Sequence, residues 1–121
     1  MNLKTIADDL LPVYETDKGN RVVDARELHE QLVVGKDFST WIKQRIEQYG
    51  FIEGEDFTPI LGNSVKSTTG AHVGRQRKDY LLTIDTAKEI AMVENNEAGR
   101  AIRKYFIEVE KVKWLITFFR H

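Results

Sequence analysis

Apolar positions along this chain switch repeatedly between helical and strand spacing. Leu3, Ile6, Ala7, Leu10 and Leu11 recur at helical intervals and predict a first helix that Pro12 ends. Val13-Tyr14-Glu15-Thr16 and Arg21-Val22-Val23 are β-prone runs on either side of Asp17-Lys18-Gly19-Asn20, which predicts a hairpin. Asp24 is an N-cap residue type, with Glu27 three places on as in a capping box. Ala25, Leu28, His29 and Leu32 then mark one face of a helix, and Gly35 breaks it. The next helix gathers Phe38, Trp41, Ile42, Arg45, Ile46 and Tyr49 on one side, with Gly50 as its C-cap. Its other side offers Ser39, Thr40, Lys43 and Gln44.

Glu53-Gly54-Glu55 reads as a turn, followed by strands over residues 56–61 and 79–83. Between those strands lies a stretch rich in Gly, Ser, Thr and basic residues and poor in apolar ones. It predicts a long hairpin tip resembling the wing of a winged helix. Lys66, Arg75, Arg77 and Lys78 sit there without an acidic residue among them. Thr83 or Asp85 caps a further helix with Ile84, Ala87, Ile90 and Ala91 inward, and Asn95-Asn96 restarts the chain into a last one. In that last helix Ile102, Tyr105, Val109, Val112, Ile116 and Phe119 alternate at spacings of three and four, a short heptad stripe.

These elements predict an α+β fold: a helix-turn-helix-like pair, a small antiparallel β-sheet and two C-terminal helices. At 121 residues, with 41% hydrophobic and 31% charged positions, a single soluble domain with a real core is expected. The segment 112–121 forms an apolar helical tail to it. With no cysteine, the chain excludes disulfides and thiol chemistry and suits a reducing cytoplasm. No basic-then-apolar signal pattern opens it, and no apolar run approaches membrane-spanning length. The expectation is a cytoplasmic protein of a bacterial host, with no membrane partner.

The net charge of −1 weighs mildly against strong DNA binding, because phosphate neutralisation supplies most of the affinity there. The helix pair is open to two readings. In one, Ser39, Thr40, Lys43 and Gln44 face base edges and phosphates in a major groove. In the other, the two helices pack in a core and their polar side is merely solvated. The tip has three readings: its cations hold phosphates, pair with an acidic protein patch, or stay solvated. Gly70 and Gly74 do not make a phosphate loop, since no Gly-Lys-Ser/Thr follows. His29, His72 and His121 are too scattered for a metal site, and Glu53, Glu55 and Asp56 lack calcium-loop spacing. No cofactor or metal is expected. Without a clustered nucleophile or acid–base pair, a binding module is expected rather than an enzyme.

The ordered set Val23-Asp24-Ala25-Arg26-Glu27-Leu28-His29-Glu30, Phe38 to Ile46, Tyr49-Gly50-Phe51, Glu55-Asp56-Phe57, Lys78-Asp79-Tyr80, Leu82-Thr83-Ile84-Asp85, Ala91-Met92-Val93-Glu94 and Arg103-Lys104-Tyr105-Phe106-Ile107 resembles the AntA/AntB antirepressor domain of temperate bacteriophages. The resemblance spans roughly residues 10–111, leaves out the tail, and extends loosely to the Bro-N and KilA-N phage domains. It implies a phage or prophage regulator that relieves repression by contact with a repressor protein. The expected contact residues are Ser39, Thr40, Lys43, Gln44, Lys66, Arg75, Arg77 and Lys78. The alternative on the same surface is a sequence-specific regulator that binds double-stranded DNA. The stripe from Ile102 to Phe119 either zips two chains together or folds back over the domain; a homodimer is favoured, since its first half packs at home and its apolar remainder has little left to cover.

Overall fold

The computed structural model describes residues 3–61 and 78–119, the side chains of Leu61 and of residues 112–119 excepted. Five strands form one antiparallel sheet: β1 (Lys4–Ala7), β2 (Val13–Glu15), β3 (Arg21–Asp24), β4 (Phe57–Leu61) and β5 (Lys78–Thr83), in the order β1-β2-β3-β5-β4. Four helices accompany them: α1 (Ala25–Leu32), α2 (Phe38–Tyr49), α3 (Ile84–Glu94) and α4 (Glu97–Phe119).

The first segment departs from expectation. Residues 4–7 are a strand, not a helix, and pair with β2 through Lys4↔Glu15, Thr5↔Tyr14 and Ala7↔Val13, with a bulge between Thr5 and Ala7. Nine residues make a marginal helix. The open edge of β2 offers their backbone groups partners, while Leu11 alone of the supposed apolar face is fully buried. The expected hairpin around Asp17–Asn20 is present, with Tyr14 opposite Val22. It joins the second hairpin through a non-local ladder in which Val22, Val23 and Asp24 face Thr83, Leu82 and Leu81.

The core lies on one face of this sheet. Val13, Val23 and Leu82 meet Leu28 and Leu32 of α1, Trp41 and Ile42 of α2, Ile90 of α3, and Ile102 and Phe106 of α4. Helix α1 begins where Asp24 accepts from the Arg26 backbone N–H at 2.8 Å. Its supposed capping-box partner, Glu27, is instead hydrogen-bonded by the Tyr14 hydroxyl at 3.2 Å. The helix ends on Val33, not at Gly35: Val33 has φ 55 and ψ 49, a left-handed conformation costing an L residue roughly 1–2 kcal/mol. Gly50 closes α2 at φ 66, as its position foretells, and Asn95 closes α3 at φ 49.

Asn96 begins α4 by accepting from the Gly99 N–H at 2.7 Å. Its amide donates back to the Leu32 carbonyl at 3.3 Å and so ties the end of α1 to the start of α4. Lys88 of α3 reaches Glu110 of α4 at 2.6 Å, and Tyr105 donates to the Leu11 carbonyl at 2.8 Å. These contacts hold the first half of α4 against the domain.

Candidate partner-binding surface

Helix α2 has two unlike sides. Phe38, Trp41 and Ile42 are buried. Ser39, Thr40, Lys43 and Gln44 are all exposed, as the alternation predicts. The buried side is clamped from α3 by a single carboxylate oxygen. Glu94 Oε2 accepts from Trp41 Nε1–H at 2.8 Å, from Arg45 Nε at 3.0 Å and from Arg45 Nη2 at 2.7 Å. Charge-assisted bonds of this kind are stronger than neutral ones. They fix the helix about its axis, so the exposed row is presented in one orientation.

The start of α2 is equally well held. Asp37 accepts from the Thr40 backbone N–H at 3.0 Å. That bond, followed by one from the Thr40 side chain, holds the Asp37 carboxyl below its ordinary value. The preceding turn is drawn onto both helices. His29 Nε2–H donates to the Lys36 carbonyl at 2.8 Å, and Lys36 Nζ donates to Gln44 Oε1 at 2.7 Å. His29 also packs against Trp41, with ring centroids 5.0 Å apart, which makes it the packing histidine its position suggests.

A junction then links α2 to the base of the second hairpin. Arg26 Nε donates to Asp79 Oδ1 at 2.7 Å, and the guanidinium lies 4.2 Å from the centre of the Phe38 ring. Phe38 in turn packs against Tyr80 at 6.2 Å, and Lys78 Nζ stands 5.7 Å from the Tyr80 ring centre. Lys78 is therefore brought to the same end of the molecule as the first turn of α2. Of the four candidate cations in the hairpin, Lys78 alone is described. Lys66, Arg75 and Arg77 lie outside the described residues. Arg26 and Asp79 were absent from the sequence-derived set. The available signal was a carboxylate inside a β-prone run, and Asp79 is indeed 3% exposed.

The candidate oligomerisation stripe divides. Ile102 and Tyr105 are buried in the core cluster and Val109 packs partly against it. The side chains of Val112, Ile116 and Phe119 lie outside the described residues, although the backbone stays helical to Phe119.

An acidic corner sits beside the junction. Burial raises the Glu27 carboxyl above its ordinary value of 4.5, and the Asp24 charge adds to this. Asp24 is raised in the same way, burial first, and the Tyr14 hydroxyl beside them is pushed up to about 12. A carboxyl raised by folding favours the folded state below its ordinary value, and that contribution is lost as pH climbs through the raised one. At neutral pH the Glu27 charge is therefore destabilising. Glu27→Gln keeps an acceptor for Tyr14 and removes the charge. It is expected to stabilise the fold at pH 7 by about 0.5 kcal/mol, small because solvent screens a partly exposed group, and to change nothing near pH 4. Urea unfolding at both pH values measures this; an equal effect at the two would disprove it.

Among the described residues no group of three or more His, Asp or Glu is placed to hold a metal ion, and no helix is long and apolar enough to cross a membrane. The sequence model described as AntA/AntB antirepressor matches residues 23–96. The chain belongs to the AntA/AntB antirepressor family. The match runs from β3 through the cap of α3 and so takes in all of α2, the Arg26–Asp79 junction and the Glu94 clamp. It is narrower than the resemblance over residues 10–111 suggested, since β1, β2 and α4 fall outside it. No curated protein and no solved structure matches the chain. An AntA/AntB antirepressor is a phage regulatory protein, and its function is of antirepressor type.

Proposed function

We propose that this antirepressor inactivates a phage repressor stoichiometrically, by docking the exposed row of α2 and Lys78 of β5 against it. The observation that carries the reading is the clamp on α2. A helix held at Trp41 and Arg45 by Glu94 presents Ser39, Thr40, Lys43 and Gln44 with little further ordering to be done on binding. The bound repressor is then drawn away from its operator by mass action. Lys78, at the start of β5, adds a positive charge near the row that suits an acidic patch and speeds encounter, and the sequence supplies Lys66, Arg75 and Arg77, outside the described residues, as further cations for the same partner. A homodimer closed by residues 112–119 of α4 belongs to the same proposal, with Ile102, Tyr105 and Val109 spent largely on the domain's own core.

Direct reading of DNA by the same face is the competing outcome. The Asp37 carboxylate weighs against it: it takes the Thr40 N–H and sets a negative charge at the N-terminus of α2, where a phosphate would otherwise be favoured. The test mixes the purified chain with the repressor encoded by the same phage and a labelled operator duplex. Release of the operator with a chain–repressor complex of defined mass on sedimentation is expected, and a dimeric chain within it. Lys43→Glu should weaken that complex by about tenfold through the association rate, with stability changed by no more than about 0.5 kcal/mol. Tight binding of the chain to duplex DNA alone, with a steep salt slope that Lys43→Glu flattens, would replace this reading with the DNA one.

A further inference from the structure

Among the described residues α1, α2 and α3 each end on a left-handed residue, and they make an internal comparison. Helix α2 uses Gly50 and α3 uses Asn95, the two residue types that enter this conformation most readily. Helix α1 uses Val33, a β-branched residue for which it is a genuine outlier. Nothing in the fold repays the choice. The Val33 side chain is 78% exposed, the most of any large hydrophobic residue described. Its neighbour Val34 does the packing against the core. Gly35, two places on, is not in the left-handed region at all.

The turn that carries Val33 is fixed. On one side the Leu32 carbonyl accepts from Asn96; on the other the Lys36 carbonyl accepts from His29. The turn also adjoins the proposed docking row. Val33 is three residues from Lys36, a reach of about 10 Å at most, and Lys36 is bonded to Gln44. The row itself contains Ser39, Thr40, Lys43 and Gln44 and no apolar side chain. Protein interfaces concentrate their energy in a few anchors that are desolvated at the centre and rimmed by polar groups; valine is uncommon among them, so here the strained backbone singles it out and not its residue type. Val33 is the exposed apolar group of the α1–α2 turn, next to such a rim.

We propose that Val33 is the apolar anchor of the repressor-facing surface. It enters an apolar pocket on the repressor whose border carries acidic groups facing Lys36 and Lys43. This rests on the repressor-binding reading above and names the residue on which its affinity turns. The strain persists in the free fold because the bonds from Asn96 and His29 hold the turn on either side of Val33.

The experiment uses the full chain and the purified repressor of the same phage, with Val33→Gly and Val33→Asn. Both replacements suit a left-handed cap and both delete the apolar side chain. The urea midpoint of each variant is expected to rise, while the Kd for the repressor weakens by about tenfold or more. A stabilised variant that binds as tightly as the wild type overturns the anchor and leaves the docking reading standing, provided Lys43→Glu still weakens binding. A variant less stable than the wild type overturns the argument from strain. A wild-type chain that does not bind the repressor removes both proposals.

Discussion

Replacing Trp41 by alanine is expected to lower the stability of this domain by about 3–5 kcal/mol, a large share of what a domain of this size has. Trp41 is 1% exposed and is among the largest fully buried side chains of the core. Its removal opens a cavity between α2, α1 and α3 that the rings of His29 and Phe38 line at 5.0 and 6.3 Å. It also takes one of three donors from Glu94 Oε2. Trp41→Phe separates the two effects. Most of the ring stays, the Nε1–H is lost, and the expected cost falls to about 2 kcal/mol. Denaturant unfolding followed by circular dichroism measures both. A loss below about 1 kcal/mol for the alanine variant would mean that α2 is not anchored as described. Repressor binding should fall with it, since the same side chain orients the exposed row.

What the sequence made legible was local. The caps at Asp24 and Gly50, the two-sided pattern of α2 and the turn of the first hairpin depend on residues a few places apart, and each is where spacing put it; of the two caps offered for α3, Thr83 or Asp85, the fold uses Thr83. The errors are of another kind. Residues 4–7 have helical periodicity, yet they pair with β2, because an unfilled sheet edge outweighs the weak propensity of a short helix. The two hairpins join through Val23 and Leu82, some sixty places apart, and no local pattern announces that ladder. The spacing ends α1 at Gly35, a helix breaker, whereas the helix closes two residues earlier on Val33. Among the described caps of α1, α2 and α3, Val33 is the one that works against its own backbone. The exposed row of the candidate site was readable from α2 alone. The groups that hold it, Glu94, Arg26 and Asp79, come from three other elements and were not.

Gly99 was passed over for the same reason, and it carries the second large effect. In a solvent-exposed helix, glycine to alanine stabilises by up to about 1 kcal/mol. At Gly99 the sign should reverse. An added Cβ would press on the Ala91 carbonyl oxygen of α3, a backbone atom with no rotamer to give, and would stand 3.2 Å from Asn96 Oδ1. The helices must separate, or the cap must move. Overpacking of this kind costs about 1–3 kcal/mol, and Gly99→Ala is expected in that range. Ala101→Gly, at an exposed position of the same helix, serves as the control and should lose about 1 kcal/mol from propensity alone. The strain would not stop at α4. Asn96 accepts from Gly99 and donates to Leu32, so a displaced cap loosens the turn that presents Val33, and a displaced α3 moves the Glu94 clamp on α2. Binding of the repressor should therefore weaken in Gly99→Ala even under conditions where the variant stays folded. A Gly99→Ala chain as stable as the wild type would show that α3 and α4 stand further apart than this close approach requires, and the coupling from α4 to the proposed docking surface would fall with it.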